Sequence, residues 1–488
     1  MIWLAVISPS MHQSSHMYKL AAIITPLQEH QQRALKKALK NNVVLAHSTG
    51  SGKTLAAIAI ADALGLPTTV FTPAPLVENF KKELEKHKVG GPSVEVLSVP
   101  TAVSRNIPVK KGNTVIIDEA HMLRNASQRQ QYLKQIADKA GRVVALTGTP
   151  AYNAVEDWTP LISTIAGAHS MPDIKNFIKT KTIYPGFFAR LRGVKPGSVE
   201  VLTNKEKLSR LYAPYVDVFD ADIEKPERIE ESIEVPMSPE QKRIYQFVTG
   251  KIPWHLRYKI ENNLPPSKAE SSMLNAFLTG VRQVSNTTQP FVDKELSIEA
   301  LEKDSPKLKR AADDLRSLFD KNKNARAFVY SNFLGAGVEP FGRMLTKRGI
   351  KYNLFNGGLS PKARKEIVRQ YNEGEVPVIL GTGAASEGLD LKKTSLIQIL
   401  EPHWNNARIE QAIGRGIRYK SHEELPPEER KVKVNRYYAA LPEEEPTFWE
   451  RIFGRSTPAT SVDNYLKSRA EEKDRLIREV KEALENKQ

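Results

Sequence analysis

The sequence contains no cysteine, which excludes disulfides and thiolate zinc sites and leaves the compartment open. Its apolar start, "MIWLAVISPS", runs for only seven residues with no basic stretch before it. That is too short to cross a bilayer and a poor match to a secretory signal. Met11 and Met17 follow closely as alternative starts. Low-complexity segments are missing, and the only internal repetition is a pair of similar halves. The ten histidines form no metal-binding constellation, so no metal is expected beyond one held with a nucleotide. Acidic residues fall short of basic ones, 56 against 72, for a net charge of +16. An excess of that size suits a polyanionic partner, usually nucleic acid, or else a basic solubilising surface; charge alone does not separate the two. A soluble, intracellular protein is expected, with no membrane partner.

At roughly 150 residues per domain, 488 residues suggest about three units. Composition is ordinary for a globular chain, 40% hydrophobic and 26% charged, and cores can form without staples. Residues 43–46, "VVLA", lead into a glycine-rich turn and then into "TLAAIAIADAL", which has helical spacing. "TTVFTPAP", "TVIIDEAH" and "VVALTGTP" read as further buried strands ending in polar residues, with "LVENFKKELEKH" as a helix. Alternation of this kind predicts an α/β fold with a parallel sheet covered on both faces, and ligands there sit at the carboxyl ends of strands. Between about 170 and 300, Lys- and Glu-rich segments with irregular helical periodicity replace it and strand signals are few. A second alternating unit follows: "ARAFVYSNF", "KYNLFNGGL", "PVILGTG", "SLIQILEP" and "RKVKVNRYYAA" read as strands. The end is a charged helix whose Leu466, Ala470, Ile477, Val480 and Leu484 share a face.

"AHSTGSGKTL", residues 46–55, is close to the phosphate-loop pattern G-x-x-x-x-G-K-[ST], with His47 where the first glycine belongs. Gly50, Ser51 and Gly52 offer backbone N–H groups at a helix N-terminus, which favours phosphate oxygens. Lys53 is placed to reach the β and γ phosphates, and the Thr54 hydroxyl to ligate Mg²⁺. In "VIIDEAH", Asp118 ends a hydrophobic strand and can hold Mg²⁺ through water. Glu119 can take a proton from the attacking water, and His121 is a candidate to link this site to movement. "QAIGRGIR" offers Arg415 and Arg418, three apart and hence on one helical face, as cations for the developing phosphate charge. ATP and Mg²⁺ are the expected cofactors.

These motifs, in this order, resemble helicase superfamily two, over the chain from about Leu27 to the end. The resemblance implies two RecA-like lobes with helical insertions and a C-terminal helix. Its divisions would be a tail at 1–20, an ATP-binding lobe at 21–168, insertions and linker at 169–300, a second lobe at 301–442 and a brace at 443–488. It assigns Gln31 to adenine, Thr49 to the phosphate loop, Thr147 and Thr149 to coupling, and Gly388, Asp390 and Gln411 to the nucleotide side. Pro73, Asn79, Ser331, Asn332 and Thr382 would touch the nucleic-acid backbone. "DEAHMLRN" with "LTGTPAYN", "PLVENFKKEL", "VPMSPEQKRIY" and "SVDNYLKSRAEEK" resemble the SWI/SNF-type branch. "EPHWNNARIEQAIGRGIRYKSH" departs from chromatin remodellers and is similar to ATPases of phages and large DNA viruses.

The implied activity is a monomeric, ATP-driven DNA translocase or helicase on duplex or branched DNA, serving replication, recombination or repair. An RNA helicase, a viral transcription-termination ATPase and a nucleotide-gated clamp without translocation remain alternatives. Basic residues of the middle region, Lys179, Lys181, Arg190, Arg192 and Lys195, are candidates to line DNA, or form a solvated surface. Trp254, Tyr258, Trp404 and Trp449 are expected in cores or interfaces rather than stacked on bases.

Overall fold

The computed structural model of the chain describes residues 23–48, 50–124, 127–148, 155–166, 173–220, 225–386, 389–404, 406–418, 420–442 and 459–485. Thr49, Thr149, Gly388 and Trp449 lie outside them. The chain forms two compact units: residues to 150, 160–171 and 211–219 make the first, and the remainder the second.

In the first unit lie β1 (Val43–His47), β2 (Thr68–Thr72), β3 (Val94–Ser98), β4 (Thr114–Ile117) and β5 (Arg142–Thr147). The chain then leaves to form a hairpin of the second unit, β6 (Ile178–Ile183) and β7 (Gly197–Leu202), and returns as β8 (Val216–Phe219). The sheet order is β3-β2-β4-β5-β1-β8, parallel throughout. Every residue of β1 is buried, which is why its sequence is a continuous apolar run and not an alternating one. The helix Lys53–Leu64 is equally apolar around its circumference, with seven consecutive buried residues from Ala56 to Asp62. It packs in the core with Ala34, Ala38, Val70, Ile116, Val144 and Leu146.

The second unit holds β9 (Glu227–Pro236), β10 (Ala327–Tyr330), β11 (Tyr352–Phe355), β12 (Val378–Gly381), β13 (Leu396–Ile399) and β14 (Lys431–Ala440). Their order is β11-β12-β10-β13-β14-β9, again all parallel. The period of two along a strand divides the core. Ala327 and Val329 join one cluster with Leu315 and Phe341, while Phe328 and Tyr330 join another with Ile379 and Ile397. The observed architecture is therefore two parallel α/β sheets, as the alternating pattern predicts.

The stretch from 169 to 300 holds more strands than its sequence suggests: β6, β7, β8 and β9 all fall there, beside the helices Pro239–Gly250, Trp254–Glu261 and Lys268–Asn286. β9 escapes a hydrophobicity reading because most of its residues are exposed on both faces. It is held by ten paired positions along β14 and by cross-strand ion pairs, Lys433–Glu231 at 2.6 Å, Lys431–Glu227 at 3.3 Å and Arg436–Glu230 at 3.3 Å.

The closing helix, Val462–Leu484, lies on the second unit. Val462, Tyr465 and Leu466 enter a core cluster with Leu256, Leu274 and Leu278. Farther along, Leu476 is buried and Ile477 only half-buried, so the inward face is rotated slightly from the expected one. Trp404 sits edge-on to Tyr465, 6.1 Å between ring centroids, in the same cluster. Trp254 is 43% exposed and edge-on to Tyr258. Among the described residues no helix is long and apolar enough to cross a membrane.

One buried ion pair fixes the start of the closing helix. Lys307 Nζ lies 2.6 Å from Asp463 Oδ2 with both side chains sealed from solvent, and the same carboxylate accepts from the Ala439 N–H at 2.8 Å. Breaking one side of such a pair strands a buried charge. Lys307→Met is expected to cost about 3–5 kcal/mol, read as a lower urea midpoint of the full chain by tryptophan fluorescence.

Candidate active site

At the carboxyl end of β1 the chain turns through Gly50 (φ 84°) and Gly52 (φ 75°), left-handed positions that glycine takes without strain. A Cβ on Gly52 would lie 2.4 Å from Gln31 Nε2, so a side chain there would displace the Gln31 amide as well as strain the backbone. The helix Lys53–Leu64 that follows has no side-chain cap, which leaves its first-turn N–H groups to an anion. Ser51 Oγ is buried and lacks a hydrogen-bond partner among the described residues. Lys53 Nζ donates to the carbonyls of His47 at 2.8 Å and Ser48 at 3.0 Å, which draws its ammonium over the loop. Thr54 stands half-buried in the same first turn. This donor set fits a polyphosphate, with Thr54 as a hard oxygen ligand for Mg²⁺.

Gln31 is 3% exposed and is engaged locally. Its Oε1 accepts from the Gln28 N–H at 2.9 Å, capping its own helix, and its Nε2 donates to the Gly52 carbonyl at 3.2 Å. In this geometry it braces the phosphate loop.

The odd histidine has a structural role that the sequence does not reveal. His47 is fully buried and its Nε2 lies 2.8 Å from Asp217 Oδ2 on β8. Arg33 grips the same carboxylate with two hydrogen bonds, at 2.9 and 3.1 Å, and Lys37 Nζ stands 3.2 Å from it. Burial pushes the Asp217 carboxyl up, but the hydrogen bonds from His47 and Arg33 and the nearby cations outweigh it and hold the group well below the carboxylate range. For His47 burial wins: its pKa falls below 6.5 despite Asp217. His30 completes the cluster, stacked on Phe219 at 3.7 Å, with Nε2 2.8 Å from the Ser51 carbonyl. The only sequence signal for this layer is the non-glycine at position 47.

At the end of β4, Asp118 accepts from the Thr72 hydroxyl at 2.9 Å and the Glu119 N–H at 3.0 Å. Burial pushes its carboxyl up; the Thr72 hydroxyl opposes this, and the Glu119 charge adds to the rise. Such a group gains from a cation, and Lys53 already acts on it electrostatically. Glu119 holds a left-handed backbone, φ 50°, uncommon for a side chain other than Asn or Asp. It turns the half-buried carboxylate to within 3.1 Å of His121 Nδ1, without hydrogen-bond geometry at that nitrogen. Thr147 is fully buried at the end of β5. Among the described residues no cluster of three or more His, Cys, Asp or Glu could hold a metal ion. Pro73 follows β2 directly and Asn79 is exposed on the next helix.

In the second unit the arginine motif differs from its expected form. The helix Asn406–Ile413 stops before Gly414, so Arg415 and Arg418 lie in the turn beyond it and share no helical face. Beyond the helix, Gly416 packs close to Ile397: a Cβ there would lie 3.0 Å from its Cδ1. Arg418 Nη1 stands 3.3 Å from Asp390 Oδ1, and the Arg415 carbonyl accepts from the Leu391 N–H at 3.2 Å. Gln411 is half-buried on the helix itself. Thr382 sits half-buried at the end of β12. Ser331 is fully buried, and its hydroxyl donates to Glu401 at 2.9 Å; Asn332 Nδ2 donates to the same carboxylate at 3.0 Å. These two side chains serve Glu401, which is itself buried.

Residues 77–289 match the SNF2-related domain and residues 310–420 the helicase conserved C-terminal domain. A protein of Acanthamoeba polyphaga mimivirus, named as an ATP-dependent RNA helicase, is 29% identical over 92% of this chain and 94% of its own length. An African swine fever virus protein named as a homolog of the termination factor NPH-I is 24% identical over 81% of this chain and 69% of its own. Among solved structures, the Sulfolobus solfataricus SWI2/SNF2 ATPase core in complex with dsDNA is 19% identical over 94% of this chain and 97% of that one, with a TM-score of 0.35.

The buried His47 ring makes a pH prediction. Its folded pKa is depressed, so the unfolded chain binds the proton more readily. The neutral ring's contribution is complete above about pH 6.5 and shrinks as pH falls below it. Asp217, also depressed, keeps its contribution until the pH falls below about 4. His47→Gln is expected to unfold at lower temperature at pH 7.5 and to lose less between pH 7.5 and 5.5 than wild type, measured by differential scanning calorimetry.

Proposed function

We propose that this chain, which belongs to the SNF2-type branch of superfamily-two helicases, couples ATP hydrolysis to movement on duplex or branched DNA. The observation that carries the ATPase reading is the convergence of a phosphate loop with Asp118 and Glu119 at the carboxyl ends of β1 and β4. ATP supplies the phosphoanhydride to be cleaved, and Mg²⁺ screens its oxygens. The chain's own residues divide the work. Loop N–H groups and Lys53 hold the phosphates, Thr54 and Asp118 hold the cation, and Glu119 takes a proton from the attacking water. Glu119 is half-buried, with His121 Nδ1 3.1 Å from its carboxylate.

Two cations are still needed for charge that develops on the transferring phosphate. Arg415 and Arg418 are our candidates; Arg418 is held by Asp390, 3.3 Å away. An arginine finger contributes about 10³ to 10⁵ in rate. Pro73, Asn79 and Thr382 are the proposed backbone contacts. Ser331 and Asn332 act at one remove, by orienting Glu401.

DNA is favoured by the SNF2-related match and the net charge of +16. RNA is the second reading, favoured by the name of the mimivirus relative. ATPase rates with duplex DNA, single-stranded DNA and RNA decide between them: DNA is expected to stimulate most, and stimulation by RNA alone would overturn the substrate assignment. ATP hydrolysis without triplex displacement would turn the motor into a clamp.

Lys53→Ala and Glu119→Gln are each expected to abolish turnover, measured by phosphate release; wild-type rates in either remove that residue from the site. Arg418→Ala is expected to keep nucleotide affinity, measured with a fluorescent ATP analogue, and to lose nucleic-acid-stimulated hydrolysis. A wild-type stimulated rate would take it out of the finger role.

A further inference from the structure

The hairpin β6–β7 carries a surface that nothing in the ATPase chemistry uses. From 174 to 199 the sequence has six cations and no carboxylate. Lys175, Lys179, Lys181, Arg190, Arg192 and Lys195 are all exposed. Within the same loop Tyr184, Phe187, Phe188 and Leu191 are 64%, 61%, 78% and 70% exposed. Four large apolar side chains within eight residues are a patch, and patches rimmed by polar groups mark interaction sites.

The tip is built, not loose. Six paired positions zip the hairpin from Ile178–Leu202 to Ile183–Gly197. Gly197 passes so close to the Pro265 carbonyl that a Cβ would lie 1.9 Å from it, which pins the hairpin base to its own unit. Ala189 and Val194 are buried under the turn, and the Val194 N–H bonds to the Ala189 carbonyl at 3.0 Å. The inward face is therefore satisfied, and the outward aromatics have no packing task. They are ordered among themselves. Phe187 and Phe188 meet edge to face at 5.7 Å, and the Arg190 guanidinium sits 5.9 Å from the ring centroids of both Tyr184 and Phe187.

An apolar, aromatic tip among cations, free of carboxylates, complements a polyanion that also presents flat apolar faces. Closed duplex offers phosphates but hides its base faces in the stack. Bases become available to aromatic side chains where strands part. We propose that the 184–192 tip is a wedge that stacks on an unpaired base at a fork or junction, while Lys179, Lys181, Arg192 and Lys195 hold the flanking phosphates. This rests on the nucleic-acid motor reading and sharpens it: the preferred substrate has a point of strand separation.

The test uses the full chain with two probes of equal length, a duplex closed at both ends by hairpin loops and a forked duplex with 2-aminopurine at the junction, each as DNA and as RNA. Wild type is expected to bind the fork more tightly and to quench the 2-aminopurine. Stacking of one base corresponds to about 5- to 150-fold in affinity. F187S/F188S is expected to lose the fork preference and the quench while still binding the closed duplex. A wild type without fork preference, or a double variant that keeps both preference and quench, overturns the wedge. Wild type that prefers anionic phospholipid vesicles through these phenylalanines also overturns it, in favour of a membrane contact. Failure of the motor reading itself looks different: no nucleic acid would stimulate ATP hydrolysis, whatever the tip does.

Discussion

The carboxylate of Asp217 is the constraint on which the first unit rests. It is sealed from solvent and must be satisfied where it stands, and three basic side chains do so: His47 from β1, and Arg33 and Lys37 from the helix Glu29–Lys40. The cluster welds three elements that are far apart in sequence. It decides where β8 docks after the chain has left for the hairpin and come back. It also sets the floor of the phosphate loop, because His47 ends β1 and its carbonyl receives the Lys53 ammonium. Replacing the first glycine of the loop by histidine thus exchanges a generic turn for a tie between the loop and the neighbouring edge strand β8.

Much of this molecule is legible in its sequence, and the exceptions share physical causes. Strands buried on both faces announce themselves as apolar runs, so β1, β2, β4, β5, β10, β12 and β13 are readable. β9 is not, since "ERIEESIEVP" is stabilised by pairing and charge along β14 and hides almost nothing. The short hairpin strand "IKTKTI" has the same difficulty. The phosphate loop and the Asp118–Glu119 pair are readable because their chemistry fixes local spacing. The helix before Arg415 ends at Ile413, a boundary that the three-residue spacing of the two arginines does not reveal. Likewise Ser331 and Asn332 look like surface groups until Glu401, seventy residues on, is found beneath them.

The two units spend their buried charge differently. In the first, the Asp217 cluster lies against the glycine-rich loop, through the His47 carbonyl that receives Lys53. In the second, Lys307–Asp463 and Lys259–Glu270 lie among helices and specify packing. A single buried pair there tells the closing helix where to begin, since apolar contacts alone would tolerate a shifted start.

The edge strand β9 carries one more consequence. Ten residues long and open on one side, it is the kind of strand that recruits a second copy of itself through unpaired backbone groups. Its exposed Glu227, Glu230 and Glu231 are matched by Lys431, Arg436 and Lys433 on β14 and Glu234 by Lys467 of the closing helix, but the same carboxylates would be opposed by their copies on an approaching chain. The charge that makes the strand invisible to a hydrophobicity reading is thus what keeps the sheet from growing, and the protection should be weakest where salt screens it.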